Sequence, residues 1–107
     1  MTAEIVLAMY RPNPGRDSEL RAAIARHVPA LRKLGLITPR EAVLMKAKDG
    51  SYIELFEWVS HEAARRAHEH PEIAEIWEQM GAIGTFGKLK QLAEAEHEFP
   101  HFAPQAL

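Results

Sequence analysis

Two short stretches of this chain are apolar on both of their alternating faces, and that pattern leaves few folds open to it. Residues 4–10 place Ile5, Leu7 and Met9 on one side and Val6, Ala8 and Tyr10 on the other. Residues 52–59 place Ile53, Leu55 and Val59 on one side and Tyr52, Phe56 and Trp58 on the other, with Glu57 and Glu54 as the two interruptions. Runs this short, stopped by turn residues such as Arg11-Pro-Asn-Pro-Gly15, read as strands, and apolar character on both faces means that both must be covered.

Between these strands the period changes. Leu20, Ala23, Ile24, His27, Leu31 and Leu34 recur at steps of three and four, which predicts a helix from Asp17, capped by Asp17 or Ser18, kinked at Pro29 and stopped by Gly35. Residues 42–48 alternate as a half-exposed strand, and Asp49-Gly50 signals a hairpin into residues 52–59. Ser60 caps a second helix with Glu62/Arg66 and Arg65/Glu69 pairs on its exposed side, and Pro71 breaks or restarts it. Its continuation buries Ile73, Ile76, Trp77 and Met80, after which Gly81, Gly84 and Gly87 are expected to loosen the chain. In residues 85–96 a fourth strand competes with a helical turn, and residues 99–104 are expected to lie extended over a neighbouring surface, with two aromatics to bury.

The order strand, helix, strand, strand, helix, strand is the ferredoxin-like βαββαβ pattern of the α+β class: an antiparallel sheet with two helices on one face. With 107 residues the expectation is one domain, its core about 4–96 and an extended tail about 97–107. Two helices cover one sheet face only. The apolar residues on the other face predict a homodimer through sheet faces, since a large exposed apolar patch marks an interface. Thirteen Lys and Arg against 15 Asp and Glu leave a net charge of −2, without the basic stripe of a nucleic-acid binder. The apolar run 5–9 is far too short to span a membrane, and Glu4 stands where a signal peptide would carry positive charge. The absence of cysteine excludes disulfides and thiolate metal sites and fits a cytoplasmic location.

Four segments carry a family likeness: Tyr10-x4-Gly15, Glu19-x7-His27-Val-Pro-x-Leu31-Arg32, Glu54-x-Phe56-Glu57-Trp58-x-Ser60 and Ala67-His68-x-His70-Pro71. Together they resemble the dimeric α+β barrel superfamily, in particular proteins similar to antibiotic biosynthesis monooxygenases, with NIPSNAP-type proteins a close second. The resemblance implies two sheets, one from each subunit, forming a barrel with helices outside and a small organic ligand between each sheet and its own helices. It also implies oxidation of aromatic, quinol-like or polyketide-like compounds without cofactor, metal or flavin. Haem-degrading relatives fit poorly: a gapless match puts Ala67 at their haem-contacting tryptophan and Trp77 at their iron-ligating histidine.

Within that frame His27 lies on the helical face that meets the sheet, where an imidazole serves either as an acid–base group or as a hydrogen-bonded core residue. Glu54 and Glu57 interrupt an otherwise buried strand. A buried carboxylate needs a donor or cation, so each either partners His27 in catalysis or pairs with Arg32, Arg40 or Lys46. Tyr10, Trp58, His68 and Trp77 are the expected walls of a substrate pocket, joined by Phe56 and Tyr52, or else they are plain core. No metal site is expected: His61 and His68 are two helical turns apart, His68 and His70 diverge, and Pro100 separates His97 from His101. The reading that follows is a cofactor-independent monooxygenase-like enzyme. A non-catalytic ligand-binding or accessory dimer is the alternative, and a packed barrel without a pocket is a third.

Overall fold

The computed structural model describes residues 2–107. Strand β1 (Glu4–Pro12) leads into helix α1 (Asp17–Lys33), followed by β2 (Val43–Lys46), β3 (Tyr52–Trp58), α2 (His61–Ala67), α3 (Pro71–Ile83), β4 (Gly84–Gly87) and, near the C-terminus, β5 (Ala103–Gln105). The sheet order is β4-β1-β3-β2-β5 and every neighbouring pair is antiparallel. This is the ferredoxin-like α+β arrangement with one strand added at the β2 edge. No helix among the described residues is long and apolar enough to cross a membrane.

Local chemistry accounts for most element ends. Helix α1 stops in a Schellman arrangement: Gly35 takes φ of 71°, its N–H donates to the Arg32 carbonyl, and the Leu36 N–H donates to that of Leu31. Its start departs from expectation. Arg16 is the N-cap without a side-chain bond, and Asp17 is already helical. The Asp17 carboxylate accepts from the Tyr52 hydroxyl at 2.8 Å and from Lys46 at 3.4 Å, so a cross-sheet tie replaces the cap. The helix continues through Pro29, and the carbonyl left free at Ala25 belongs to an exposed residue that water can reach. Lys48-Asp49-Gly50 closes the β2–β3 hairpin as a three-residue loop, with Gly50 at φ of 93°. Ser60 caps α2 by accepting the Ala63 N–H at 3.1 Å. The ion pair formed on α2 is Arg65–Glu62, spaced i,i+3, instead of the expected i,i+4 pairs. Pro71 divides the second helix in two, taking the first position of α3, where its missing N–H costs no helical bond.

Residues 84–96 resolve into both alternatives: strand β4 first, then 3-10 turns at Leu89–Gln91 and Ala93–Glu96. The glycines of β4 tighten the sheet where loosening was expected. A Cβ on Gly84 would stand 2.6 Å from the Arg11 carbonyl oxygen, and one on Gly87 would collide with the Met9 side chain. The tail pairs as a true strand, β5, against β2. Of its two aromatics, Phe102 packs against a small second core, whereas Phe99 stays exposed.

Register decides what each face carries. Ala8, Glu54 and Leu44 form one cross-strand row, and Val6–Phe56 and Tyr10–Tyr52 lie on the same side, beneath the helices. There they meet Leu20, Ile24 and Leu31 of α1 and Ile73, Ile76 and Met80 of α3 in the main core. The opposite face divides in two. Met9, Ala47, Ile53 and Leu92 form the second core, while Leu7, Leu55 and Val43 align across three strands, with Leu7 45% and Val43 43% exposed.

Candidate functional site

His27 is buried because it falls in the apolar stripe of α1 between Ile24 and Leu31, and that stripe rests on the Tyr10 and Glu54 side of the sheet. Ala8 sits opposite Glu54, and its small side chain leaves room for the carboxylate to turn toward the helix. A linear hydrogen-bonded chain results. The Tyr10 hydroxyl donates to Glu54 Oε1 at 2.8 Å, and His27 Nδ1 meets the same oxygen at 2.8 Å. The Trp77 indole N–H donates to His27 Nε2, also at 2.8 Å.

This chain fixes its own protons. An indole nitrogen can only donate, so His27 Nε2 carries a lone pair and Nδ1 carries the hydrogen, which it gives to Glu54. Glu54 Oε1 therefore receives two donors and holds no proton. Its other oxygen, Oε2, is buried without a partner among the described residues. Glu54 is 0% exposed, held by a phenol and a neutral imidazole, and forms no ion pair with a lysine or arginine among the described residues. Burial, then the Glu54 charge and the hydrogen bond to it, hold the Tyr10 hydroxyl well above the ordinary tyrosine range, so Tyr10 remains a donor.

The chain forms one wall of a largely apolar cavity of about 330 Å³, which lies between the sheet and its own helices. Val6, Ala8 and Tyr10 of β1, Phe56 and Trp58 of β3 and Phe86 of β4 line the sheet side. His27, Trp77 and His68, the last at the end of α2, line the helix side. Edge-to-face contacts hold these rings in place: His27–Phe56 at 5.5 Å, Phe56–Trp58 at 5.1 Å and His68–Trp77 at 4.7 Å between centroids.

Five of the seven site residues expected from sequence line one space, namely His27, Tyr10, Trp58, His68 and Trp77, and a sixth, Glu54, stands behind it, bonded to Tyr10 and His27. Glu57 does neither. It points to the opposite sheet face, accepts from the Thr38 hydroxyl at 2.8 Å and pairs with Arg40 at 3.2 Å. The Thr38 hydrogen bond, helped by Arg40, holds its carboxyl below the usual range. Tyr52 is likewise outside the cavity, tied to Asp17. Sequence reasoning missed Val6, Ala8 and Phe86 as lining residues. The first two share an alternating face with Tyr10, which was the available signal, and Phe86 lay in the stretch of undecided structure. No three His, Cys, Asp or Glu side chains among the described residues come together as a metal site.

The β4-β1-β3-β2 sheet with an aromatic pocket under its helices is a fold that this chain shares with several solved structures. No known family pattern matches the chain, and no curated protein sequence is detectably similar to it. Solved structures carry the likeness. SnoaB, a cofactor-independent oxygenase from Streptomyces nogalater, matches with a TM-score of 0.67 at 19% identity over 81% of this chain and 88% of its own. Rv0793 from Mycobacterium tuberculosis matches with a TM-score of 0.65 at 20% identity, covering 80% and 91%. Tetracenomycin F2 cyclase from Streptomyces glaucescens, a type-II polyketide cyclase, gives 0.53 at 23% identity, covering 83% and 89%. At such identities the shared property is the fold.

Proposed function

We propose that the chain is a homodimeric, cytoplasmic, cofactor-independent monooxygenase-like enzyme acting on a small aromatic or polyketide-like compound. The buried Tyr10–Glu54–His27–Trp77 chain opening on an apolar aromatic cavity carries this reading. Buried titratable groups in a cleft are the usual mark of a reactive site. His27 is the acid–base group, Glu54 stabilises the imidazolium that forms, Tyr10 keeps Glu54 in place, and Trp58, Trp77 and His68 hold the ring system. One structural neighbour is an oxygenase and another a polyketide cyclase, which supports the substrate class.

The chemistry balances without an added reductant. The enol form of an anthrone-like ketone, an aromatic hydroxyl, loses its proton to His27 Nε2, and the resulting anion gives electrons to dioxygen through the ring carbon opposite the oxygen and forms a C–O bond there. The imidazolium returns the proton to the peroxide. Removal of the remaining C–H proton then forms the ketone as the O–O bond breaks and hydroxide leaves, taking up a proton as water. In sum, a methylene and a dioxygen molecule become a ketone carbonyl and a water molecule, so the substrate supplies all the electrons that dioxygen takes up. Positioned acid–base catalysis contributes roughly 100- to 10,000-fold.

The test is oxygen uptake with anthrone, comparing the native chain with His27→Gln. The expected result is a loss of about 100-fold or more with unchanged circular dichroism. A folded His27→Gln variant with full turnover refutes the proposal. One observation favours a second reading, non-catalytic binding: the lone pair of His27 Nε2 is already taken by Trp77. Anthrone bound by the native chain without oxygen uptake above background would establish that reading.

The dimer forms through the open sheet face, where Leu7, Leu55 and Val43 make an apolar row across three strands, flanked by Ile5. An isologous two-fold contact covers that row on both copies at once.

A further inference from the structure

Building on the reading just given, we infer that the pocket selects an uncharged, planar aromatic bearing a free hydroxyl, and that this hydroxyl inserts between Trp77 Nε1 and His27 Nε2. The two nitrogens are a matched donor and acceptor, 2.8 Å apart on the cavity wall. A hydroxyl is both donor and acceptor. It gives its hydrogen to Nε2 and takes the indole N–H on its oxygen, so no hydrogen bond is lost when the indole withdraws. An ether or carbonyl oxygen can take the indole N–H but leaves the Nε2 lone pair unmatched. A carboxylate does worse, since it brings a charge against that lone pair.

Charge acts in the same direction. No lysine or arginine lines the cavity. Nearby guanidinium groups are engaged elsewhere: Arg11 with Asp49 and Ser51, Arg26 with Gln79. The Tyr10 hydroxyl is committed to Glu54. Glu54 itself, with Oε2 unpartnered, stands directly behind the imidazole. An anion entering here finds no lysine or arginine on the wall, only the uncommitted N–H groups of Trp58 and His68, in an apolar space where a charge without a cationic partner is costly. A cavity of about 330 Å³ lies at the small end of ligand sites and suits roughly two or three fused rings.

The two tryptophans of the chain both border the cavity, so their indole N–H signals in a proton–nitrogen correlation NMR spectrum report binding directly. The probes are 2-naphthol, 2-methoxynaphthalene and 2-naphthoate at pH 7, matched in ring size and differing at one substituent. The expected result is saturable movement of the Trp77 signal with 2-naphthol, affinity at least tenfold weaker for the ether, and weakest for the acid. Equal binding of the ether refutes the hydroxyl insertion. Binding of 2-naphthoate as tight as 2-naphthol refutes the selection against charge. Both results leave the pocket as the ligand site. If none of the three moves either indole signal, the inference and the pocket assignment fall together. Preferential 2-naphthol binding in a protein that does not oxidise anthrone upholds the inference and removes the enzyme reading.

Discussion

The Tyr10 hydroxyl is the most informative single group to remove. Tyr10→Phe retains the ring, and with it the burial and the edge-on contacts to His27 and Phe86 at 6.4 and 5.8 Å, so no cavity opens. What disappears is one of only two donors to a fully buried carboxylate whose second oxygen has no partner. A hydrogen bond to a charged acceptor contributes about 1.5–3 kcal/mol. For a domain of this size each kcal/mol moves Tm by about 4–8 °C, so the expected loss is on the order of 10 °C. Urea denaturation should show a lower midpoint at unchanged slope. The same substitution in a Glu54→Gln background should cost less, because a neutral acceptor makes a weaker bond. The pH dependence has a definite sign. Folding raises the Tyr10 value above its ordinary 10.0, so the contribution is complete below pH 10 and is lost as pH climbs through the folded value. The stability gap between native chain and variant should therefore close on the alkaline side. Tyr52, raised by burial and then by Asp17, behaves alike in both proteins and cancels. A loss below about 0.5 kcal/mol at neutral pH, the size of an ordinary surface substitution, would refute the expectation that Tyr10 donates to a charged acceptor.

Trp77→Phe removes the donor to His27 Nε2 while keeping an aromatic wall, so the Nε2 lone pair is freed; anthrone turnover should be retained or rise, with weaker substrate binding, and abolished turnover in a folded variant would contradict this. Leu7→Lys places a charge in the middle of the exposed apolar row, and native mass spectrometry should show the dimer giving way to monomer without loss of helical signal. Thr38→Val takes the main hydrogen bond from Glu57, whose carboxyl is held below its ordinary 4.5; the variant should be less stable at neutral pH, and the gap should vanish as pH falls through that range. Anthrone turnover should not change in Thr38→Val, because Glu57 faces away from the cavity.

Much of this arrangement is legible in the sequence. The apolar stripe of α1 places His27 against the sheet, and strict alternation in β3 puts Glu54 and Glu57 on opposite faces. Which of the two meets His27 cannot be read there. Alternation fixes that two residues differ in side, whereas the side covered by helices depends on α1 and α3 docking from the same direction. Gly84 and Gly87 mislead because freedom in an isolated chain and close approach in a sheet call for the same residue. The cap at Asp17 fails through competition: Tyr52 and Lys46, remote in sequence, claim the carboxylate that would have served the helix. Strand β5 is too short to signal itself and exists because the β2 edge offers unpaired backbone groups.

The position of β1 between β3 and β4 also bears on how the chain reaches this state. Its partners come only after a long helix and a hairpin in one case, and two further helices in the other. During synthesis, Ile5-Val6-Leu7-Ala8-Met9 leaves the ribosome early and has no strand to pair with until β3 follows. Such non-local pairing slows folding, since loops must close before contacts reward them. Until then the most apolar strand of the protein is a sticky, unprotected segment. Nascent chains should therefore depend on chaperone capacity in a way that the finished molecule, with β1 enclosed on both edges, no longer does.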